Sequence, residues 1–248
     1  MQANEHPTCR FFNRAGDYAR YRPGYPGAAI DAVLEGLPEA CTVADVAAGT
    51  GILSRLVAAR GARVLAVEPN AAMRAAAAPH PGVVWSDGTA EATGLPDGSV
   101  DLVTVAQAFH WLDVAPTLRE FARILRPAGR LAIVWNRRSR VHPFTLGYRG
   151  VLEAMGAEAP AERSRFDPAV VTGVTFRDLR QQEFVNAQRL TEEQLLGRAR
   201  STSTVPLTGP DSERILAMLR DLHARHRGDD GTVEMVYRTE LFLWTRAC

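Results

Sequence analysis

The residues most able to do chemistry here are two carboxylates flanking a glycine turn. Asp45-Val-Ala-Ala-Gly-Thr-Gly51 stands where a buried β-type run hands over to a helical one, and Glu68 closes the next β-type run. A glycine-bearing first turn in a parallel sheet lets a nucleotide-like ligand approach the backbone closely. The dinucleotide pattern G-x-G-x-x-G would seat a pyrophosphate, but here Ile52 and Leu53 follow Gly51 and an aspartate precedes the turn. Asp45 therefore suits a ligand that is cationic at that point, and Glu68 can accept from both hydroxyls of a ribose. The alternative is a turn that serves only the chain reversal. Phe109-His110-Trp111 follows the fourth β-type run, whose carboxyl end aims it at the sheet crevice. Imidazole as a group titrates near neutrality, which makes His110 the candidate general base; otherwise it is a histidine packed between aromatics. Trp111 is either a ligand contact or core. Beyond the fifth run stand Arg137, Arg138, Arg140, His142 and Tyr148. Guanidinium groups there could hold an acidic substrate, or the cluster is a solvated loop.

The elements that must position these groups alternate between short β-rich runs and longer helical ones. Strands are expected at Cys41–Ala47, Arg63–Glu68, Val83–Ser86, Ser99–Ala108 and Arg130–Trp135, as five βα units of an open doubly wound sheet. Asn70 and Asp113 are placed to cap the helices that follow the second and fourth strands. After Trp135 the texture changes, with a helix expected around Gly147–Met155 in a stretch that lies over the sheet. Leu179–Gln188 then reads as a strand, Thr191–Arg200 as a helix opened by a capping-box pattern, Asp211–Arg227 as a longer helix, and the segment 231–247 as a final strand. The expectation is one domain over 1–248 with a mostly parallel seven-stranded α/β sheet and a helical lid over 137–178.

Ribose plus a cation, without pyrophosphate, describes S-adenosylmethionine. The sequence resembles the class I S-adenosylmethionine-dependent methyltransferases over nearly its whole length. Asp45–Gly51 is similar to their first motif, Val64-Leu-Ala-Val-Glu-Pro69 to their second, and Gly88-Thr-Ala-Glu91 with Leu95-Pro96 to their adenine-side segment. Leu125-Arg-Pro-Ala-Gly129 is similar to the lead-in of their fifth strand. The pattern F-x2-A-x2-Y-x3-R-P-x-Y-P over Phe12–Pro26, and Ala106-Gln-Ala-Phe-His-Trp-Leu-Asp113, resemble a small-molecule subgroup, the trans-aconitate methyltransferases. The resemblance implies that Asp45 and the backbone around Ala47, Gly49 and Gly51 face the methionine part of the cofactor, and Glu68 with Pro69 the ribose. It implies that Thr89, Ala90 and Glu91 line the adenine pocket, that Gln107 lies under the cofactor, and that Tyr18 and Arg22 close over its carboxylate. Residues 1–27 then form a covering segment. Two positions depart from the family pattern. Ala47 replaces the usual first glycine and is expected to keep φ negative. Thr89 stands where an aspartate often meets the adenine amino group, which leaves that task to Glu91 or a backbone carbonyl.

The reaction so implied is in-line methyl transfer to a small molecule, with an oxygen acceptor favoured and Trp111, Arg138, Arg140, His142 and Tyr148 as substrate contacts. An ionised carboxylate acceptor would need no base. All 29 basic residues are arginine, against 28 acidic ones. The lack of lysine excludes Schiff-base chemistry, a P-loop lysine and a kinase-type lysine. A net charge of +1 and no basic stripe argue against nucleic acid, and so against the competing reading of an RNA-modifying methyltransferase. A nicotinamide oxidoreductase is disfavoured by the missing glycine pattern; a non-catalytic S-adenosylmethionine-binding protein stays open because of Ala47 and Thr89. Cys9, Cys41 and Cys248 show no paired spacing, no metal site is expected at His223 or His226, and no window approaches a membrane span. A cytoplasmic monomer or homodimer is the expected setting.

Overall fold

The computed structural model describes residues 13–157 and 166–247; Phe12 of the tyrosine-rich pattern, the rest of residues 1–11, and 158–165 of the expected lid lie outside them. The chain forms α1 (Ala15–Tyr21), α2 (Gly27–Leu34), β1 (Thr42–Val46), α3 (Ile52–Ala58), β2 (Arg63–Val67), α4 (Ala71–Ala75), β3 (Val83–Ser86) and β4 (Val100–Ala106). It continues through α5 (Val114–Ile124), β5 (Leu125–Arg138), α6 (Pro143–Ala154), β6 (Phe176–Leu190), α7 (Glu192–Arg200), α8 (Pro210–His226) and β7 (Val233–Arg246). Seven strands make one sheet in the order β3-β2-β1-β4-β5-β7-β6. β1 to β5 are parallel, and β7 runs antiparallel to both of its neighbours. This is the Rossmann-like, doubly wound architecture expected from the periodicity.

Local chemistry explains most of the boundaries. Val43 to Val46 are buried without interruption because helices cover both faces of the central strands. α4 starts where the Asn70 Oδ1 accepts from the N–H groups of Ala72 and Met73. In α7 the Thr191 hydroxyl and the Gln194 side chain satisfy each other's backbone, as the capping-box spacing implied. α5 buries Thr117, Glu120, Phe121 and Ile124, one stripe of a 3.6-residue period. Asp113 stands at its N-cap, but the side chain makes no capping bond. No helix lies between β3 and β4. That loop is held instead by Glu120, whose Oε1 accepts from the Thr93 N–H (2.8 Å) and hydroxyl (2.6 Å).

Three apolar clusters result. One lies under α5, with Val103, Phe121, Ile133, Phe242 and Trp244; Phe166 joins it, 5.4 Å from Phe109 and 5.1 Å from Phe242 between ring centres. A second packs α2 and α3 against the opposite face through Ile30, Val33, Leu53 and Val57. The third is a helical layer in which α6 packs with α7, α8 and the start of β7. The covering layer thus differs from the expected 137–178 lid: it draws on α6 and on helices from beyond residue 190, while Phe166 and Phe176 belong to the α5 face.

The N-terminal α1 and α2 carried no signal in the sequence reading. α1 is short and lacks a side-chain cap, so tertiary contacts must hold it. A methyl group on Gly197 of α7 would come within 2.2 Å of the Tyr21 ring, so the glycine is what lets α1 dock. The Arg14 guanidinium donates to the carbonyls of Arg200 (2.6 Å), Thr202 (2.8 Å) and Val205 (2.6 Å), which closes the C-terminal end of α7. The Asn136 and Asn186 amides both donate to the Gly24 carbonyl at 2.9 Å. Residues 14–25 are thereby strapped across the carboxyl ends of β5 and β6. Between β5 and β7, Glu240 is fully buried and accepts from Arg137 (3.0 Å) and Arg238 (2.9 Å).

Candidate active site

The carboxyl ends of β1, β2 and β4 open onto a cavity of about 420 Å³. Its walls come from the turn after β1 (Ala47, Ala48, Gly49), the end of β2 (Glu68, Pro69, Asn70), the 89–91 loop, Ala106 to Ala108, Trp111, and Tyr18 and Tyr25 from the strap. A cavity of this size with few polar groups is typical of a small-molecule site.

The turn is shaped by left-handed backbone. Gly49 and Gly51 have φ of 60° and 68°, and Ala47 adopts φ 55°, contrary to the negative φ expected for it. For a residue with a Cβ this conformation costs about 1–2 kcal/mol. The turn geometry that the family pattern assigns to glycine is therefore kept, with strain in its place. Gln107 is held the same way at φ 61°. Of the four non-glycine residues with positive φ among the described residues, Ala47 and Gln107 face the cavity, a place where stored backbone strain tends to concentrate, while Ala128 and Asp178 lie away from it.

Glu68 is the organising polar group. Its Oε2 accepts from the Gly49 N–H (2.8 Å) and its Oε1 from the Asn70 N–H (2.9 Å), so one side chain ties the β1 turn to the start of α4. A carboxylate offers about four acceptor positions. Two are used by backbone, which leaves capacity for a diol on the cavity side. Burial raises its pKa, and the two backbone N–H groups pull it back.

Other expected contacts fall elsewhere. Asp45 does not reach the cavity: its oxygens accept from the Ser54 and Thr104 hydroxyls, and burial lifts its pKa to about 6. Its place is beneath the turn. Gly51 also lies behind the wall, where a Cβ would come within 2.8 Å of the Trp85 ring. Thr89 and Ala90 line the cavity. Glu91 lines it too, but its Oε1 accepts from the Asp113 N–H (3.2 Å) and the Thr117 hydroxyl (3.4 Å), so it also completes the start of α5. Tyr18 is on the wall, whereas Arg22 is not: its guanidinium lies over the Tyr18 ring and donates to Ser201.

His110 is exposed, with ring centres 4.4 Å from Trp111 and 5.4 Å from Trp135, and it is not part of the cavity wall. Trp111 is. The expected arginine clamp of Arg138 and Arg140 does not form: β5 ends at Arg138, which is buried, and the turn that follows carries Arg140 out to solvent. His142 sits at the N-cap of α6, its Nδ1 3.3 Å from the Thr145 hydroxyl. Arg138 and Tyr148 do come together, in the helical layer, with the guanidinium 5.0 Å from the ring centre.

Tyr25 was not singled out from the sequence, although it ends the R-P-x-Y-P pattern. It lines the cavity and hydrogen-bonds to Gln107, and burial pushes its pKa well up. Arg198 and Ser201 were missed as well. An arginine in a helix that opens with two glutamates reads as solvent-facing, yet Arg198 is only 2% exposed.

A sequence profile of the methyltransferase domain family matches residues 44–133, the stretch that carries the turn, Glu68, the 89–91 loop and Gln107. Uncharacterized methyltransferases of Mycobacterium bovis and Mycobacterium tuberculosis are 38% identical over 223 residues, covering 87% of this chain and 86% of theirs. A methyltransferase-like protein of Schizosaccharomyces pombe is 30% identical over 217 residues, covering 86% and 85%. Among solved structures, a chain assigned as a type II methyltransferase from Anaeromyxobacter dehalogenans superposes with a TM-score of 0.64 at 26% identity, over 91% of this chain and 97% of that one. With the domain profile over the site and relatives matched across most of both chains, the chain belongs to the class I S-adenosylmethionine-dependent methyltransferases.

Proposed function

We propose that this enzyme methylates a small molecule at an oxygen nucleophile, with the cofactor held by Glu68, Asn70, the Ala47–Gly49 turn, Thr89, Ala90 and Tyr18. The observation that carries the cofactor assignment is Glu68. Its two oxygens are already fixed by backbone donors, so their remaining acceptor positions are preorganised for the hydroxyls of a ribose. When bound, S-adenosylmethionine supplies an electrophilic methyl group on a sulfonium sulfur. The chain's own residues then have to align an acceptor and exclude water. Tyr18 and Tyr25 cover the cavity from the strap, and Gln107, held in a left-handed conformation and bonded to Tyr25, fixes its floor. Among the described residues the wall contains no imidazole, which supports an acceptor already ionised at neutral pH over one that needs a histidine base. His110 is then a ring packed beside Trp111, not the base. The small-molecule assignment, and with it the likeness to the trans-aconitate group, is supported by a cavity closed over by the strap and by a surface without cationic excess.

The test is a metabolite pool incubated with the enzyme and methyl-labelled cofactor. Label in a small acidic or hydroxylated product, with stoichiometric S-adenosylhomocysteine, is the expected result. Label confined to bulk transfer RNA would overturn the small-molecule reading.

A further inference from the structure

The polar side chains on the cavity wall differ in what they already hold. Glu68 ties the turn after β1 to the start of α4, the Asn70 Oδ1 caps α4, and Glu91 completes the start of α5. Tyr25 is placed differently. It lines the cavity, its ring rests against the apolar cluster of α2 and α3, and the Gln107 amide donates to its phenol oxygen. A phenol both accepts and donates, and among the described residues nothing accepts the Tyr25 proton. With its oxygen held by Gln107, the O–H is left to the cavity.

This donor is fixed through one shared support. The carbonyl before Tyr25, that of Gly24, accepts from the Asn136 and Asn186 amides at 2.9 Å. The Asn136 Oδ1 accepts in turn from the Thr239 hydroxyl at 2.5 Å, and the Asn136 carbonyl lies 3.4 Å from the Gln107 amide. Asn136 thus steadies both the backbone beside the tyrosine and the amide that holds its phenol, so little freedom is lost when a ligand arrives. In the sheet, β1 separates β4 from β2, and Gln107 follows β4. The phenol that it holds therefore meets the cavity two strands away from the carboxylate assigned to the ribose.

Burial, then the neighbouring Tyr18 and Asp45, push the Tyr25 pKa well up. A phenol kept protonated in this way is no base for an acceptor's proton; it is a hydrogen-bond donor. Its best partner is an anion, because a hydrogen bond to a charged acceptor is about twice as strong as one to a neutral acceptor.

Resting on the oxygen-methylation reading above, we propose that the Tyr25 hydroxyl positions a carboxylate acceptor by donating to one of its oxygens while the other attacks. The attacking oxygen gives an electron pair to the methyl carbon, the C–S bond breaks and its pair stays on sulfur. No proton moves, and Tyr25 keeps its hydrogen throughout. The acceptor is an anion before the step and a neutral ester after it. The Tyr25 hydrogen bond is therefore stronger to the bound acid than to the ester, and it adds nothing specific to the transition state. Tyr25 selects the acid and lets the ester go; alignment of the methyl group falls to the rest of the cavity.

The experiment is an NMR titration of the full chain saturated with S-adenosylhomocysteine, using two matched pairs, acetate with acetamide and benzoate with benzamide. The wild type should bind at least one carboxylate about tenfold more tightly than its amide. Tyr25→Phe keeps the ring and removes only the hydroxyl. It should weaken that carboxylate about tenfold, as expected for a hydrogen bond to a charged group, weaken the amide by about twofold, and leave the Kd for S-adenosylhomocysteine within about twofold. No preference for acid over amide in the wild type would overturn the proposal. So would equal losses for acid and amide, which mark a disturbed wall, or a loss confined to S-adenosylhomocysteine, which makes Tyr25 a cofactor contact. Label on nitrogen or carbon in the metabolite test would refute the oxygen reading, and failure of the wild type to bind S-adenosylhomocysteine would refute methyl transfer. In either case the same pairs, titrated with and without S-adenosylhomocysteine, decide the Tyr25 donor separately.

Discussion

Glu68→Gln separates the two tasks assigned to this side chain. The substitution preserves shape but turns one carboxylate oxygen into an amide nitrogen. Because Oε1 and Oε2 each accept a backbone N–H, from Asn70 and Gly49, either orientation of the new amide leaves one of those donors facing another donor. An unsatisfied buried donor costs about 1–3 kcal/mol, so unfolding stability should fall by that order. The ribose meanwhile loses a charged acceptor, worth about 1.5–3 kcal/mol, and the Kd for S-adenosylhomocysteine should rise about 10- to 150-fold. Urea denaturation and isothermal titration on the same preparations read the two effects independently. An unchanged Kd beside a clear loss of stability would reduce Glu68 to a brace for the turn and refute its ribose assignment. Unchanged stability would refute the bridging argument.

Three other predictions concern the same region. Asp45 holds a folded-state pKa of about 6 against an ordinary 3.8, so the cost of its buried charge is absent below pH 3.8 and fully present above pH 6, at about 3 kcal/mol. Wild-type stability should therefore fall across that window relative to Asp45→Asn; parallel urea midpoints for the two proteins from pH 4 to 7 would contradict this. Ala47→Gly relieves left-handed strain but loosens the unfolded chain, for a net gain of about 0.5–1 kcal/mol, whereas Gly51→Ala adds strain and a collision with Trp85 and should lose about 2–4 kcal/mol. Thermal shifts of the same sign at both positions would contradict the turn geometry. His110→Ala should leave kcat within about threefold and cofactor affinity intact; a hundredfold drop in kcat at constant affinity would restore it as a base.

What the sequence revealed about the site followed the range of the interactions involved. The β1 turn, the Asn70 cap and the capping box of α7 are set by residues within a few positions of each other, so their spacing carries the information. Glu68 was found because strand ends in a doubly wound sheet converge on one crevice. The φ of Ala47 was misjudged because intrinsic preference opposes it, and only the demands of the surrounding turn settle the outcome. α1 escaped notice because its stability comes from Arg14 and Gly197, contacts that span more than 170 positions of sequence. Arg198 was not singled out because helical amphipathicity says which face is charged, not whether another face will be folded over it. Arg138 and Arg140 were paired by proximity in sequence, yet the strand ends at the buried Arg138 and the turn beyond it leaves Arg140 exposed.

The position of β7 also bears on how the chain is made. β6 is synthesised before β7 but has its ladder, from Phe176 to Leu190, entirely against that later strand. A nascent chain that has reached α8 therefore carries β5 and β6 as two open edges, which could pair wrongly with each other or with a neighbouring chain. Glu240 guards the step. When β7 slots between them in register, its buried carboxylate, paired with Arg238 of the same strand, also meets Arg137 of β5; a slip of two residues would bury that charge away from Arg137. An ion pair far from the cofactor thus acts as a proofreader of assembly.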